Sequence, residues 1–418
     1  MSDPKLIQAL RERGVVIHAP DSILVEGIDP TRIESGVELY PGCVLRGRDT
    51  LLGRGCRLGR AGGGSFENVR AGRNVDLYGG TFQDAVFLDG VIVRGHAEMR
   101  GGTLMEEESE AAHHVGYKMT ITMPWVIAGS LVNFCDALIA GGTGRRDHSE
   151  LGSALALYNF TPRGDKFASL FGDVPRGVFL RSERIFVGGQ AQIVSPVKVG
   201  YGAVIVAGGA VRRSVPAGRL YGEAAPALDR AYVSERYGSV ERLIRLSAEY
   251  VANLWALDAW YERVRLPGAP PFHRELYAAA RAQVRAGISE RIKRLDRLVD
   301  RLPRSLELHR EALASAAGEQ RDWHQRCVDE HEQVRAGWAA ARASLASGPA
   351  TDGLPERGSG LEPVVQRFTE ARRAEPDAGY LDILGRLTDA EVSGGEAELQ
   401  RIVAAVLSGV PSPWSTTS

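Results

Sequence analysis

Residues 197–214 read VKVGYGAVIVAGGAVRRS. Aliphatic residues recur about every six positions, a glycine or other small residue often follows, and turn-permissive residues fill the rest. Such a unit is a short strand and a tight corner. The aliphatic side chain enters a narrow interior, and glycine serves the corner where a Cβ would strain. One unit cannot bury its own apolar side chains, so units must stack. The same period begins near residue 33 as IESGVE, LYPGCV, LRGRDT, LGRGCR and LGRAGG. It resumes as VRAGRN and VDLYGG, loosens through VFLDGVIVRGHAEMRGGTL, and returns in ITMPWV, IAGSLV, NFCDAL and IAGGTG. A sandwich or barrel would place turn signals every ~8–12 residues instead. The pattern therefore predicts a mainly β chain with a parallel β-helix over 31–225, preceded by an N-terminal helix and lead-in over 1–30.

Near residue 226 the period changes to that of a helix. Leu243, Leu246, Tyr250, Leu254, Leu257 and Tyr261 follow at three- and four-residue spacing. PGAPP at 267–271 is a break. Helical spacing returns over 273–345, with Ile288, Ile292, Leu295, Val299 and Leu302 on one stripe and Pro303 expected as an interruption. These signals predict a helical hairpin or bundle over 226–345. A linker follows over 346–360, then a small helical C-terminal region over 361–418 that ends in a loose PSPWSTTS tail.

At 418 residues the chain has room for two or three domains, and a net charge of −1 points to neither nucleic acid nor an anionic membrane. The N-terminal MSDPKLIQALRERG lacks the apolar core of a signal peptide, and no stretch is apolar enough to span a bilayer, so a cytoplasmic location is expected. Cys43, Cys56, Cys135 and Cys327 are scattered, which suits reduced thiols, and no metal site is expected. Only five of the 51 basic residues are lysines (Lys5, Lys118, Lys166, Lys198 and Lys293), so a lysine in a suggestive place carries information.

The segment 133–195 departs most from the repeat. It runs through NFCDALIAGGTGRRDHSELGS, then NFTPRGDK at 159–166, then FVGGQAQIVSPVKVG, and a closing AVIVAGGAVRRSV follows. This order resembles the acetyltransferase half of the bifunctional UDP-N-acetylglucosamine pyrophosphorylase/glucosamine-1-phosphate acetyltransferase, within the hexapeptide-repeat acyltransferase superfamily. It is also similar to stand-alone proteins that carry the pyrophosphorylase name. The strong part of the resemblance covers about 113–215. It implies a left-handed parallel β-helix, a homotrimer with sites at subunit clefts, acetyl-CoA or another acyl-CoA as co-substrate, and a small-molecule sugar acceptor. It has no counterpart for the helical region, which could serve a protein partner.

Carried over by motif, the resemblance implies substrate contacts from Asn159 and Lys166, with Tyr117, Lys118 and Asn133 as neighbours. It implies a catalytic base at His113 or His114, in AAHHVGYKMT. The extra segment GRRDHSELGSALALY offers His148 as a third candidate base, with Arg145, Arg146 and Asp147 beside it. Arg163 lies within NFTPRGDK. Gly189, Gln190, Ala207, Arg212 and Arg213 are the candidates for holding the acyl donor. The chemistry needs these residue types. A primary amine attacking a thioester must lose a proton, and histidine titrates in the useful range. A sugar phosphate needs cationic or amide donors.

The expected activity is an acyl-CoA-dependent N-acyltransferase acting on an amino sugar phosphate or sugar nucleotide. A non-catalytic sugar-nucleotide-binding or scaffold protein is the second reading. Nucleotidyl transfer ranks third, because about thirty residues precede the repeat and that reaction needs an α/β nucleotide-binding domain.

Overall fold

The computed structural model describes residues 3–224, 227, 229, 232–349 and 360–411. Most of the 346–360 linker, the start of the helical region near 226 and the PSPWSTTS tail after Pro411 lie outside the described residues. The repeat folds as a parallel β-solenoid with three faces. The first face is an eleven-stranded sheet from Val16–Ile17 to Leu220–Tyr221. The second starts at Leu24–Glu26 and the third at Leu51–Leu52, and every strand pair in them is parallel. Two seven-residue strands, Gly116–Thr122 and Asn133–Ile139, run round the corner between second and third faces and join them into one sheet. Parallel pairing begins at Val16 against Glu38, earlier than residue 31. Gly14 and Gly27 take corner positions in this first coil, stacked below Gly36 and Gly47.

The interior is a ladder of side chains in register. Phe66, Phe82, Met99, Tyr117 and Phe134 stack on successive coils of the second face, each fully buried. Coils also approach closely at their corners. A Cβ on Gly152 would lie 2.3 Å from the Gly189 nitrogen, so only glycine fits there.

The helical region lies along the third face. Glu241–Trp260 is buried on nearly all sides, because it sits between the solenoid and further helices. Pro271–Leu313 crosses the strands of the third face and pairs with Gly318–Ser347. The 271–313 helix runs through Pro303, which was expected to interrupt it. A proline inside a helix typically costs ~3 kcal/mol. Burial of Leu302, Ser305, Leu306 and His309 on the same helix offsets that cost. Glu362–Ala374, Tyr380–Gly385 and Asp389–Ser408 complete the layer, the last opened by a capping box between Thr388 and Glu391. Solenoid and helices share one continuous apolar core from Ile7 to Val410. No helix among the described residues is long and apolar enough to cross a membrane.

Candidate functional site

The site candidates fall into three places on the solenoid. The first is the corner between first and second faces. His96, His114, Leu131, Ala154 and Gln190 occupy it on successive coils, all exposed and all at positive φ. Four of these backbone N–H groups donate to a carbonyl of the preceding coil: His114 to Gly95, Leu131 to His113, Ala154 to Ser130 and Gln190 to Ser153. Coils rise about 4.8 Å, so His114 and Gln190, three coils apart, lie roughly 14 Å from each other along this edge. The imidazoles of His96 and His114 stack with centroids 4.9 Å apart, and His113 is exposed beside them. On the adjoining second face Asn133 pairs in register with Gly116, and Lys118 with Cys135; Asn133 and Lys118 are exposed. Thus His113, His114, Asn133, Gly189 and Gln190 share one edge, with Ala207 exposed one coil beyond, whereas Lys118 lies across the second face, beside the corner residue Met119.

Tyr117 does not belong to that surface. Its side chain is 0% exposed within the interior ladder, and its hydroxyl has no hydrogen-bond partner. Strand alternation sets this: Gly116 and Lys118 face out, so Tyr117 faces in. Burial pushes its phenol well above the usual range. The expectation that it touches substrate is corrected by this register.

The second place is the 143–150 loop, which packs on the first face. Arg145 pairs with Glu108 and, at 3.1 Å, with Glu110. Asp147 accepts from the Thr143 hydroxyl at 2.8 Å and lies 3.5 Å from Arg184, while Arg146 is exposed. His148 holds Nδ1 2.9 Å from the Arg145 carbonyl, so Nδ1 carries the proton in the neutral ring, and Nε2 lies 3.6 Å from Glu150.

The third place is the corner between second and third faces, where NFTPRGDK is clasped by the helices. Asn159 donates its amide to Asp136, and Arg291 from the 271–313 helix pairs with the same carboxylate. Arg291 also donates to the Lys166 carbonyl at 3.2 Å. Arg301 pairs with Asp165 at 2.8 Å, and the Tyr237 hydroxyl donates to the other Asp165 oxygen at 2.9 Å. Arg163 donates to the Ser234 and Arg236 carbonyls, the latter at 2.8 Å. The Lys166 ammonium lies 5.8 Å from the Phe160 ring. Burial raises the Asp136 carboxyl, against the pull of Arg291 and Lys166. Sequence reading missed Asp136, Tyr237, Arg291 and Arg301. Their sequence separations, up to 155 residues for Arg291 and Asp136, leave no local signal.

Arg212 and Arg213 are exposed at the far end of the solenoid, Arg213 within 3.2 Å of the Tyr221 hydroxyl and 3.8 Å of Glu223. All four cysteines are free thiols. Among the described residues no group of three His, Cys, Asp or Glu side chains is placed to hold a metal ion.

No protein-family model matches the chain. Curated relatives do. The Bifunctional protein GlmU of Pelobacter propionicus is 29% identical over 212 residues, which is 49% of this chain and 42% of that protein. The chain is similar to the bifunctional GlmU proteins. The one from Bdellovibrio bacteriovorus is 25% identical over 231 residues, 55% of this chain and 45% of its own length. That of Trichlorobacter lovleyi is 27% identical over 209 residues, 49% and 40%. The chain therefore spans less than half the length of these GlmU relatives. A stacked parallel solenoid is the architecture that a hexapeptide repeat requires, and the likeness to GlmU covers about half of this chain.

Proposed function

We propose that the chain is an acyl-CoA-dependent N-acyltransferase for an amino sugar phosphate or sugar nucleotide, working at the exposed edge between first and second faces. The observation that carries this reading is the exposure of His113, His114 and Asn133 on the same edge as Gln190, with Lys118 across the second face on the strand that follows His114. One imidazole takes the proton of the attacking amine as the N–C bond forms. Lys118 and Asn133 supply a cation and an amide for the sugar phosphate. The edge through Leu131 and Ala154 towards Gly189 offers an apolar track for the acyl donor's tail, with the leaving thiolate reprotonated as it departs. Acetyl-CoA is the donor that the resemblance to the hexapeptide-repeat acyltransferases implies, and no metal takes part. His148 is the weaker candidate base, because Glu150 beside Nε2 favours a structural pair.

The proposal extends to a homotrimer with this edge facing a neighbour, a cytoplasmic location, and the division into 31–225, 226–345 and 361–418. The experiment is a thiol-release assay with purified chain, acetyl-CoA and glucosamine 1-phosphate. Turnover is expected, falling about 10²-fold or more in the His113→Ala/His114→Ala double variant, the usual span for losing a general base. An absence of any acetyl-CoA binding by calorimetry defeats the reading.

One observation favours a second reading, a non-catalytic binding or scaffold protein. The loop expected to hold the acceptor, 159–166, spends its polar groups on Arg291, Arg301 and Tyr237 of the helical region. Full biological function in a variant lacking His113, His114 and His148 would select it. The helical region would then serve a protein partner.

A further inference from the structure

A cavity of about 670 Å³ opens beside the clasped loop, away from the edge proposed for acyl transfer. Its lining comes from Arg163, from Tyr232 and Arg236 on the segment before the 241–260 helix, and from Gln320, Trp323 and His324 on the 318–347 helix. This volume falls in the range of small-molecule sites. No carboxylate lines it, and among the described residues no acid pairs with either guanidinium. Arg163 donates to backbone carbonyls through Nε and Nη2, which hold the guanidinium in place without compensating its charge. Two aromatic faces stand at the mouth: Tyr232 is 59% exposed and Trp323 38%. Arg163 also lies over the Tyr232 ring, 5.6 Å from its centroid, so one guanidinium and one ring are already set side by side.

His324 is oriented from behind. The Nε2 of His309 lies 2.6 Å from the Tyr237 carbonyl, which only accepts, so that nitrogen carries the proton. Its Nδ1 then accepts from Nδ1 of His324 at 2.7 Å, which leaves Nε2 of His324 as an acceptor. Burial holds both rings below their usual value and hence neutral near pH 7.

We infer that this cavity is a nucleotide site. The phosphates meet Arg163 and Arg236, the planar base lies on Tyr232 or Trp323, and His324 accepts from a ribose hydroxyl. Guanidiniums suit phosphate oxygens by their fixed fork of donors, and every base has a π-face to stack.

Calorimetry on the full chain with ADP, adenosine and pyrophosphate tests the assignment. ADP is expected to bind, and more tightly than adenosine or pyrophosphate alone. Arg236→Ala removes a charge-assisted contact and Tyr232→Ala a stacking face, each weakening ADP by about tenfold or more. Neither residue belongs to the acyl-transfer edge, so thiol release is expected to stay unchanged in both variants, and a failure here is separable from a failure of that activity. Four results overturn the inference. The first is no ADP binding at millimolar concentration, and the second is equal binding to Arg236→Ala. The third is pyrophosphate binding as tightly as ADP with Tyr232→Ala silent, which reduces the cavity to an anion site. The fourth is displacement of ADP by coenzyme A, which merges the cavity with the acyl-donor site.

Discussion

Replacing Arg265 by alanine is expected to destabilise the protein by about 3–5 kcal/mol, the usual result of leaving a buried charge unpaired. Arg265 is 1% exposed and joins the helical layer to the solenoid. Its guanidinium grips Glu107 with two hydrogen bonds of 2.6 and 3.0 Å, lies 3.5 Å from Glu106, and packs over the Tyr380 ring at 3.6 Å. Tyr261 donates to Glu106 at 2.5 Å. Two carboxylates facing one guanidinium cannot both ionise cheaply. Burial, reinforced by Glu107 and opposed by Arg265, pushes Glu106 up to about 7.

The sign of the pH effect follows. The folded value stands above the ordinary 4.5, so the native state binds this proton more firmly than the unfolded chain. The stabilisation is complete below 4.5 and is lost as pH rises through about 7. Chemical unfolding monitored by circular dichroism should show the Arg265→Ala loss. Glu106→Gln should flatten the decline between those two pH values. The triple replacement Glu106→Gln, Glu107→Leu and Arg265→Met should recover most of the stability, because it removes both charges together. Arg265→Ala within about 1 kcal/mol of wild type, closer to a surface substitution than to a stranded buried charge, would refute the pairing.

Asp136→Ala should cost about as much, roughly 3–5 kcal/mol, for a related reason. Asp136 is 4% exposed and Arg291 is 3% exposed. Removing the carboxylate strands a buried guanidinium and deprives the Asn159 amide of its acceptor. The loss should be local as well as global. Because Arg291 also holds the Lys166 carbonyl, loop 159–166 should become sensitive to limited proteolysis, whereas the first face should not. Equal resistance of the loop in the variant and wild type would show that Arg291 does not hold it.

The solenoid was legible because the signal is local. An inward aliphatic side chain and an outward turn recur within a few residues, and stacking follows from the need to cover each coil. Its first coil was less legible: Val16 and Ile17 pair with the next coil and Gly14 takes the corner position of Gly36, but the surrounding residues lack the six-residue period. Tyr117 shows the limit of motif transfer, since its neighbours on the strand point outward and alternation alone decides that it points in. Pro303 shows that local propensity yields to tertiary burial. The clasp on NFTPRGDK was not legible at all. The contacts of Asn159 and Asp165 with Arg291, Arg301 and Tyr237 depend on where a distant helix lies, and no spacing in the sequence encodes that.

Hydrogen exchange of the full chain, with and without acetyl-CoA, tests the placement of the site most directly. Protection is expected at 113–118 and 187–191, with 159–167 unchanged because the helices already hold that loop. Protection confined to 159–167, with none along the edge of His114 and Gln190, would contradict it.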